Sequence, residues 1–136
     1  MMKPALIDTD ILSFFLRGHP KVVSHFDAYT KAYAKINLSI ITYYEILSGL
    51  KHRDAQQQLR HFLDFVAENT VVLLTERSVE ISADMYAVTR AQGMPIDDID
   101  LLIAGVAMEH DWLLVTHNRS HFARIAGLVI DDWMEA

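Results

Sequence analysis

Short apolar runs alternate along this chain with longer segments in which apolar residues recur at helical spacing. Residues 5–8 typify the short runs, because Ala5, Leu6 and Ile7 together suit a buried strand. Residues 22–34 typify the longer segments, where apolar side chains three or four positions apart would line one face of a helix. The pattern predicts strands at residues 5–8, 36–41, 71–74, 112–115 and 129–130. It predicts helices at residues 11–17, 22–34, 42–50, 54–68, 78–92 and 99–110.

This alternation of short strands with helices predicts an α/β fold with a central, mainly parallel sheet. In such sheets, ligands bind beyond the carboxyl ends of the strands. Two polar segments follow predicted strands: Asp8 comes at the end of the first strand, and residues 116–118 follow the fourth. The sequence therefore predicts a functional site at that edge of the sheet.

The composition narrows the class of protein. A length of 136 residues fits a single domain over residues 1–136, and 51% hydrophobic residues are enough for a substantial core. The chain contains no cysteine, which excludes a disulfide framework and thiolate metal sites and fits a reducing cytoplasm. No segment has the apolar length of a signal peptide or a membrane span, so we expect no membrane association.

Three carboxylates next to apolar runs are the candidate catalytic and metal-binding residues. Asp8 ends the first strand, Glu45 lies within an apolar helix segment, and Asp100 directly precedes the run that begins at Leu101. A carboxylate in such surroundings costs free energy to bury unless it is paired or bound to a cation. Because Mg²⁺ and Mn²⁺ prefer oxygen ligands, these residues predict a shared site for one of those ions.

Helix capping offers a competing, purely structural interpretation of these acidic positions. Asp10 is well placed to be the N-cap of the first helix. Thr42 and Glu45 have the spacing of a capping box, with Thr42 as the N-cap. Asp98 would cap the helix that carries Asp100, and the helix dipole favours acidic residues in a first turn without any function.

The net charge of −6, from 12 basic and 18 acidic residues, argues mildly against non-specific nucleic-acid binding. Residues 51–53 and 119–124 are the candidate local basic patches, although ordinary solvated surface charge explains them more simply. His117 and His121 are four residues apart, but a zinc site needs three or four convergent ligands. We therefore do not expect zinc.

Taken together, these residues resemble the PIN domain. The segments that carry the resemblance are Leu6-Ile7-Asp8-Thr9-Asp10, Ser39-x-x-Thr42-x-x-Glu45-Ile46-x-x-Gly49, Asp100-Leu101-Leu102-Ile103-Ala104, and Leu114-Val115-Thr116-x-Asn118 with Phe122. Their order, together with Gly127-Leu128 and Asp132-Trp133 near the end, is most similar to VapC-type toxins of bacterial toxin–antitoxin pairs. The resemblance covers residues 5–133. Each motif alone is weak, but four in order make a strong match.

This resemblance implies a three-layer α/β/α sandwich and a Mg²⁺- or Mn²⁺-dependent endoribonuclease that cleaves tRNA or another structured RNA. It places the metal-binding carboxylates on Asp8, Glu45 and Asp100. It places two further catalytic residues, which orient ligands or the attacking water, on Thr116 and Asn118. It also implies a homodimer and a small VapB-type antitoxin that covers the site.

One position departs from the family pattern. Many relatives have an acidic residue just before the phenylalanine that matches Phe122, where this chain has His121. The change puts a second metal ion in doubt and leaves open a degenerate, non-catalytic PIN domain that acts only as a binding module. A third alternative is a haloacid-dehalogenase-type phosphatase, because Asp8-Thr9-Asp10 after a strand also resembles the start of that family. Those enzymes need a later lysine, whereas the last lysine here is Lys51.

Overall fold

A computed structural model of the chain describes residues 3–135. Over this range a five-stranded sheet is covered by helices on both faces. The strands are β1 (Ala5–Ile7), β2 (Asn37–Ser39), β3 (Thr70–Val72), β4 (Leu113–Val115) and β5 (Ile130–Asp131). The helices are α1 (Thr9–Leu16), α2 (Pro20–Tyr33), α3 (Ile40–His52), α4 (Gln56–Ala67), α5 (Glu76–Ala91), α6 (Asp98–Glu109) and α7 (Arg119–Phe122). None of these helices is long and apolar enough to span a bilayer.

The sheet is parallel, with the strand order β3-β2-β1-β4-β5 and β1 at its centre. Alternate side chains of a strand point to opposite faces. Ala5 and Ile7 therefore join one core with residues from α1 to α4, whereas Leu6 joins the other core with residues from α5 and α6. Helices cover both faces of the sheet, so the predicted α/β/α sandwich is confirmed.

The predicted elements are present, with ends that lie within two residues of the observed ones. The predicted strand at 36–41 is too long, because Ile40 and Ile41 belong to α3. The Ser39 side chain accepts the Thr42 amide as the N-cap of α3, which ends the strand there. Apolar periodicity could not locate this change, since isoleucine suits a buried strand and a buried helix equally. It also missed α7, whose four residues are too few to show a period.

Close packing between α5 and α6 fixes the helix that carries Asp100. A side chain at Gly105 on α6 would overlap Ser82 Oγ on α5. The Ser82 hydroxyl also donates to the Leu101 carbonyl oxygen at 2.7 Å. The glycine and this hydrogen bond together hold the first turn of α6 against the body of the domain.

Candidate active site

The predicted site residues meet at the carboxyl edge of the parallel sheet, as the strand order requires. Asp8 directly follows β1, and Thr116 directly follows the neighbouring β4. Glu45 lies in α3, which begins where β2 ends, and Asp100 lies in the first turn of α6. The charge of Asp100 contributes to the raised pKa of Asp8, so these two carboxylates lie within electrostatic range of each other.

Asp8 is a buried carboxylate held by two hydrogen bonds. It is 6% exposed. Its Oδ1 accepts the Thr9 amide at 2.8 Å, and its Oδ2 accepts the Thr116 hydroxyl at 2.8 Å. Burial is the main cause that raises the pKa of Asp8 to about 7, the charge of Asp10 adds to the rise, and the Thr116 hydrogen bond opposes it. The protein groups around Asp8 therefore disfavour the charged form of its carboxylate.

The expectation that Asp10 caps the first helix is wrong, because Asp8 is the N-cap of α1. The Asp10 carboxylate instead accepts the Ile11 amide at 2.7 Å and the His117 amide at 3.1 Å, which ties the start of α1 to the loop after β4. Burial raises the pKa of Asp10 as well. Asp10 thus adds a further acidic group beside Asp8 that the capping interpretation did not anticipate.

Glu45 is oriented by a chain of hydroxyl groups. Thr9 Oγ1 donates its single proton to Glu45 Oε1 at 2.6 Å. In the 2.9 Å hydrogen bond between Thr9 Oγ1 and Thr42 Oγ1, the donor is therefore the Thr42 hydroxyl. The capping-box interpretation of Thr42 and Glu45 is wrong, because Ser39 is the N-cap and Thr42 supplies the capped amide. Sequence reasoning assigned no role to Thr9, because its hydrogen-bond partners lie 33 and 36 residues away.

Asp100 lies at the mouth of the site beside two residues that follow β4. Its Oδ2 is 3.5 Å from His121 Nδ1, and Asn118 Nδ2 lies 2.8 Å from the same histidine nitrogen. Burial raises the pKa of Asp100, and the contact with His121 opposes that rise. The N-cap of α6 is Asp97 and not Asp98, so Asp100 occupies the third helical position. His121 therefore lies beside a predicted metal ligand.

A second buried carboxylate lies next to the site and was missed in the sequence. The Asp132 side chain is 3% exposed and its Oδ2 is 2.9 Å from His117 Nδ1. Its Oδ1 accepts the Met134 amide at 2.9 Å. The pairing holds the chain after β5 against the loop after β4. The motif Asp132-Trp133 in the sequence does not indicate which residue pairs with this carboxylate.

The donor set at this edge fits a hard divalent cation. Asp8, Glu45 and Asp100 offer carboxylate oxygens, which are the ligands that Mg²⁺ and Mn²⁺ prefer. A bound cation would also favour the charged form of Asp8, which burial alone disfavours. Within residues 3–135 no three acidic or histidine side chains yet close around a common point. Threonine hydroxyls donate to one oxygen each of Asp8 and Glu45, and the carboxylates keep further lone pairs that could bind an ion.

Replacement Glu45→Gln distinguishes a structural role of this side chain, as a hydrogen-bond acceptor, from a role that needs its negative charge. The amide oxygen of glutamine can still accept the Thr9 hydroxyl, so we expect an unchanged melting temperature. It carries no charge for a cation, so we expect cleavage of RNA to fall by at least roughly tenfold. Thermal unfolding and a cleavage time course measure the two effects. Glu80→Gln, which alters a surface partner of Arg77, is the matched control. Full activity of Glu45→Gln would leave this residue only a structural role.

The raised pKa of Asp8 predicts a pH dependence of stability in the absence of metal. Folded Asp8 keeps its proton until about pH 7, whereas the unfolded chain releases it near 3.8. Folding therefore takes up a proton between these values, and the free energy of unfolding contributed by Asp8 falls as the pH rises through them. Thermal unfolding in EDTA should show a larger fall for the wild type than for Asp8→Asn. An equal pH dependence in the two proteins would contradict the buried, uncompensated charge.

The sequence is similar to a known domain family and to known ribonucleases. The family model described as the PIN domain matches residues 5–128. Ribonuclease VapC1 of Haemophilus influenzae strain R2866 is 28% identical over 129 residues, covering 94% of this chain and 96% of that protein. A tRNA(fMet)-specific endonuclease VapC of Shigella flexneri is 26% identical over 129 residues, with the same two coverages.

A solved structure has the same fold over nearly its whole length. The chain is similar to one in the crystal structure of DNA-bound VapBC from Salmonella typhimurium, with a TM-score of 0.86 and 26% identity. The match covers 98% of this chain and 99% of that one. The strands and helices that position the acidic residues are therefore those of a known architecture.

Proposed function

This chain belongs to the PIN domain family, and we propose that it is the VapC-type toxin of a type II toxin–antitoxin pair, a Mg²⁺- or Mn²⁺-dependent endoribonuclease. The observation that carries the proposal is the carboxylate of Asp8, buried at the carboxyl edge of the sheet with a pKa raised to about 7. A group in this state favours a cation, and the acidic side chains of Asp100 and Glu45 approach it from two helices. The similarity to curated ribonucleases of this type supports the reaction.

The proposed reaction is hydrolysis of a phosphodiester bond that leaves a 5′-phosphate and a 3′-hydroxyl. A divalent ion held by Asp8, Glu45 and Asp100 would lower the pKa of a bound water and neutralise charge on the scissile phosphate. The Thr116 hydroxyl fixes the orientation of the Asp8 carboxylate by donating a hydrogen bond to it. The same hydroxyl oxygen accepts a hydrogen bond from the backbone N–H of Asn118 at 3.0 Å. Thr116 and Asn118 thereby act as positioning residues for the carboxylate and for the groups near Asp100.

We assign RNA of the tRNA class as the substrate. The similar protein of Shigella flexneri is a tRNA(fMet)-specific endonuclease, and its similarity extends over 94% of this chain. Initiator tRNA is therefore the first substrate to test, with elongator tRNAs and a single-stranded RNA alongside it. Because tRNA acts in translation, we propose that this protein acts in the cytoplasm.

The proposed partner is a small VapB-type antitoxin. The similar Salmonella chain comes from a DNA-bound VapBC complex. An acidic site attracts positive charge, so we expect the antitoxin to present a basic or aromatic side chain to it. We also propose a homodimer, which the resemblance to VapC-type toxins implies. Sedimentation equilibrium measures that assembly.

The most direct test of the reaction uses the purified wild-type protein. We expect cleavage of initiator tRNA with Mg²⁺ or Mn²⁺, none in EDTA, and products with a 5′-phosphate. Absence of cleavage of every RNA in the panel, with a folded protein and both metals, would favour the non-catalytic alternative. Hydrolysis of small phosphate monoesters without RNA cleavage would favour the phosphatase alternative.

His121 should limit the number of metal ions. A second ion would need its own negative ligands, and neutral His121 supplies none. Replacement His121→Asp beside Asp100 should therefore strengthen Mg²⁺ binding, which calorimetry in the absence of RNA would measure. Ser120→Asp, which adds the same charge one residue away on α7, is the matched control. Two tight Mg²⁺ sites in the wild type, or unchanged affinity in His121→Asp, would contradict this role.

A further inference from the structure

A surface cavity opens directly beside the acidic site. Its volume is about 250 Å³, and it lies between α1, α3 and α4. Glu45 and Thr9, which are hydrogen-bonded to each other in the site, form part of its wall. The cavity is therefore continuous with the place where the scissile phosphate would bind.

Basic side chains also line this cavity. Arg17 at the end of α1, Arg53 at the end of α3 and His61 on α4 line it together with Gln58. Within residues 3–135 neither arginine forms an ion pair with a carboxylate. The Arg17 guanidinium lies 5.1 Å from the centre of the Phe14 ring, which holds it while leaving its donors free.

The arginines of the second basic segment predicted from the sequence, residues 119–124, have hydrogen-bond or ion-pair partners. Arg119 is paired with Glu135 at 2.7 Å, and Arg124 donates to the Pro95 carbonyl oxygen at 3.2 Å. The basic groups at the cavity are thus the ones left available beside the site. Arginines at helix ends also interact favourably with the helix dipole, but that effect does not require both to face the same cavity as Glu45.

We propose that this cavity is a phosphate subsite, in which Arg17 and Arg53 bind a backbone phosphate of RNA next to the cleaved one. This inference rests on the proposed ribonuclease function. A protein of net charge −6 needs local cations to hold a polyanion against an acidic site. Guanidinium groups match the geometry of phosphate oxygens, and Gln58 adds a neutral donor. RNA would enter along α1 and α3 and pass Glu45.

The test measures binding of fluorescent initiator tRNA in EDTA, which withholds the cation that cleavage needs. We expect Arg17→Ala and Arg53→Ala each to weaken binding about tenfold. Each should also reduce the slope of log K against log salt by about 0.7 to 0.9, the amount for one lost phosphate contact. Arg17→Lys and Arg53→Lys should retain most of the slope, because charge is kept. Melting temperatures establish that each variant is folded.

Arg60→Ala on α4 and Arg77→Ala on α5 are matched controls, because neither residue lines the cavity. The subsite is wrong if the Arg17/Arg53 double variant binds tRNA with the wild-type affinity and salt slope. It is also wrong if the double variant binds tRNA normally but loses affinity for the antitoxin, because the cavity would then be a protein contact. Arginine-dependent tRNA binding by a wild type that never cleaves RNA would overturn the ribonuclease proposal while leaving the subsite standing.

Discussion

Replacement Asp8→Asn should abolish RNA cleavage and leave the fold intact. Asparagine is as good an N-cap as aspartate, so α1 keeps its start, and Thr116 Oγ1 can reorient to accept the new amide. The substitution removes the negative charge that a hard cation needs. The loss should be at least as large as the roughly 10–100-fold loss that follows removal of groups supporting a metal ligand. A cleavage time course with Mg²⁺ measures it.

The same variant should be no less stable than the wild type without metal. The Asp8 carboxylate is buried and its charged form is disfavoured, so removing the charge removes a cost of folding near neutral pH. Loss of activity with an unchanged or higher melting temperature separates a chemical role from a structural one. Cleavage at the wild-type rate by folded Asp8→Asn would overturn the assignment of this residue.

Expression of the wild-type chain alone should arrest bacterial growth, and co-expression of the cognate antitoxin should relieve the arrest. The reason is the proposed cleavage of tRNA, which would stop translation in any cell that uses the same substrate. Colony counts after induction measure the effect. Asp8→Asn and Glu45→Gln, expressed at matched soluble levels, are the controls and should be tolerated.

Further measurements show whether growth arrest depends on the acidic site. An antitoxin that covers the acidic site should inhibit purified wild-type protein in the same cleavage assay. Unimpaired growth at high soluble expression of the wild-type chain would count heavily against the toxin function. Arrest by Asp8→Asn as severe as that by the wild type would show that toxicity does not depend on the proposed site.

The order of strands and helices and the edge that carries the site were predictable from the sequence, because both follow from local patterns. Ala5, Leu6 and Ile7 form a buried run in any context, and a run that alternates with helices favours a parallel sheet. In a parallel sheet Asp8 and Thr116 lie at the same edge, and because β1 and β4 are neighbours the two side chains form a hydrogen bond at 2.8 Å. The family resemblance then added Glu45 and Asp100, which periodicity alone could not select.

The partners of the site residues could not be predicted, because they depend on contacts between distant segments. Thr9 reaches Glu45 across 36 residues, and His117 pairs with a buried Asp132 whose burial is decided only when β5 joins the sheet. Local rules also misassigned three helix caps. In each case more than one nearby polar residue satisfied the same rule, and the backbone conformation where the helix begins selected among them.

We propose that Asp8, Asp100 and Glu45 together hold the divalent ion on which RNA cleavage depends. Anomalous diffraction from crystals soaked in Mn²⁺ tests it most directly. The result we predict is a Mn²⁺ peak at the carboxyl edge of the sheet, directly coordinated by an oxygen of Asp8. The Asp100 and Glu45 carboxylates should coordinate the same ion directly or through one water. Well-ordered Mn²⁺ elsewhere on the protein, with none beside Asp8, would contradict the claim.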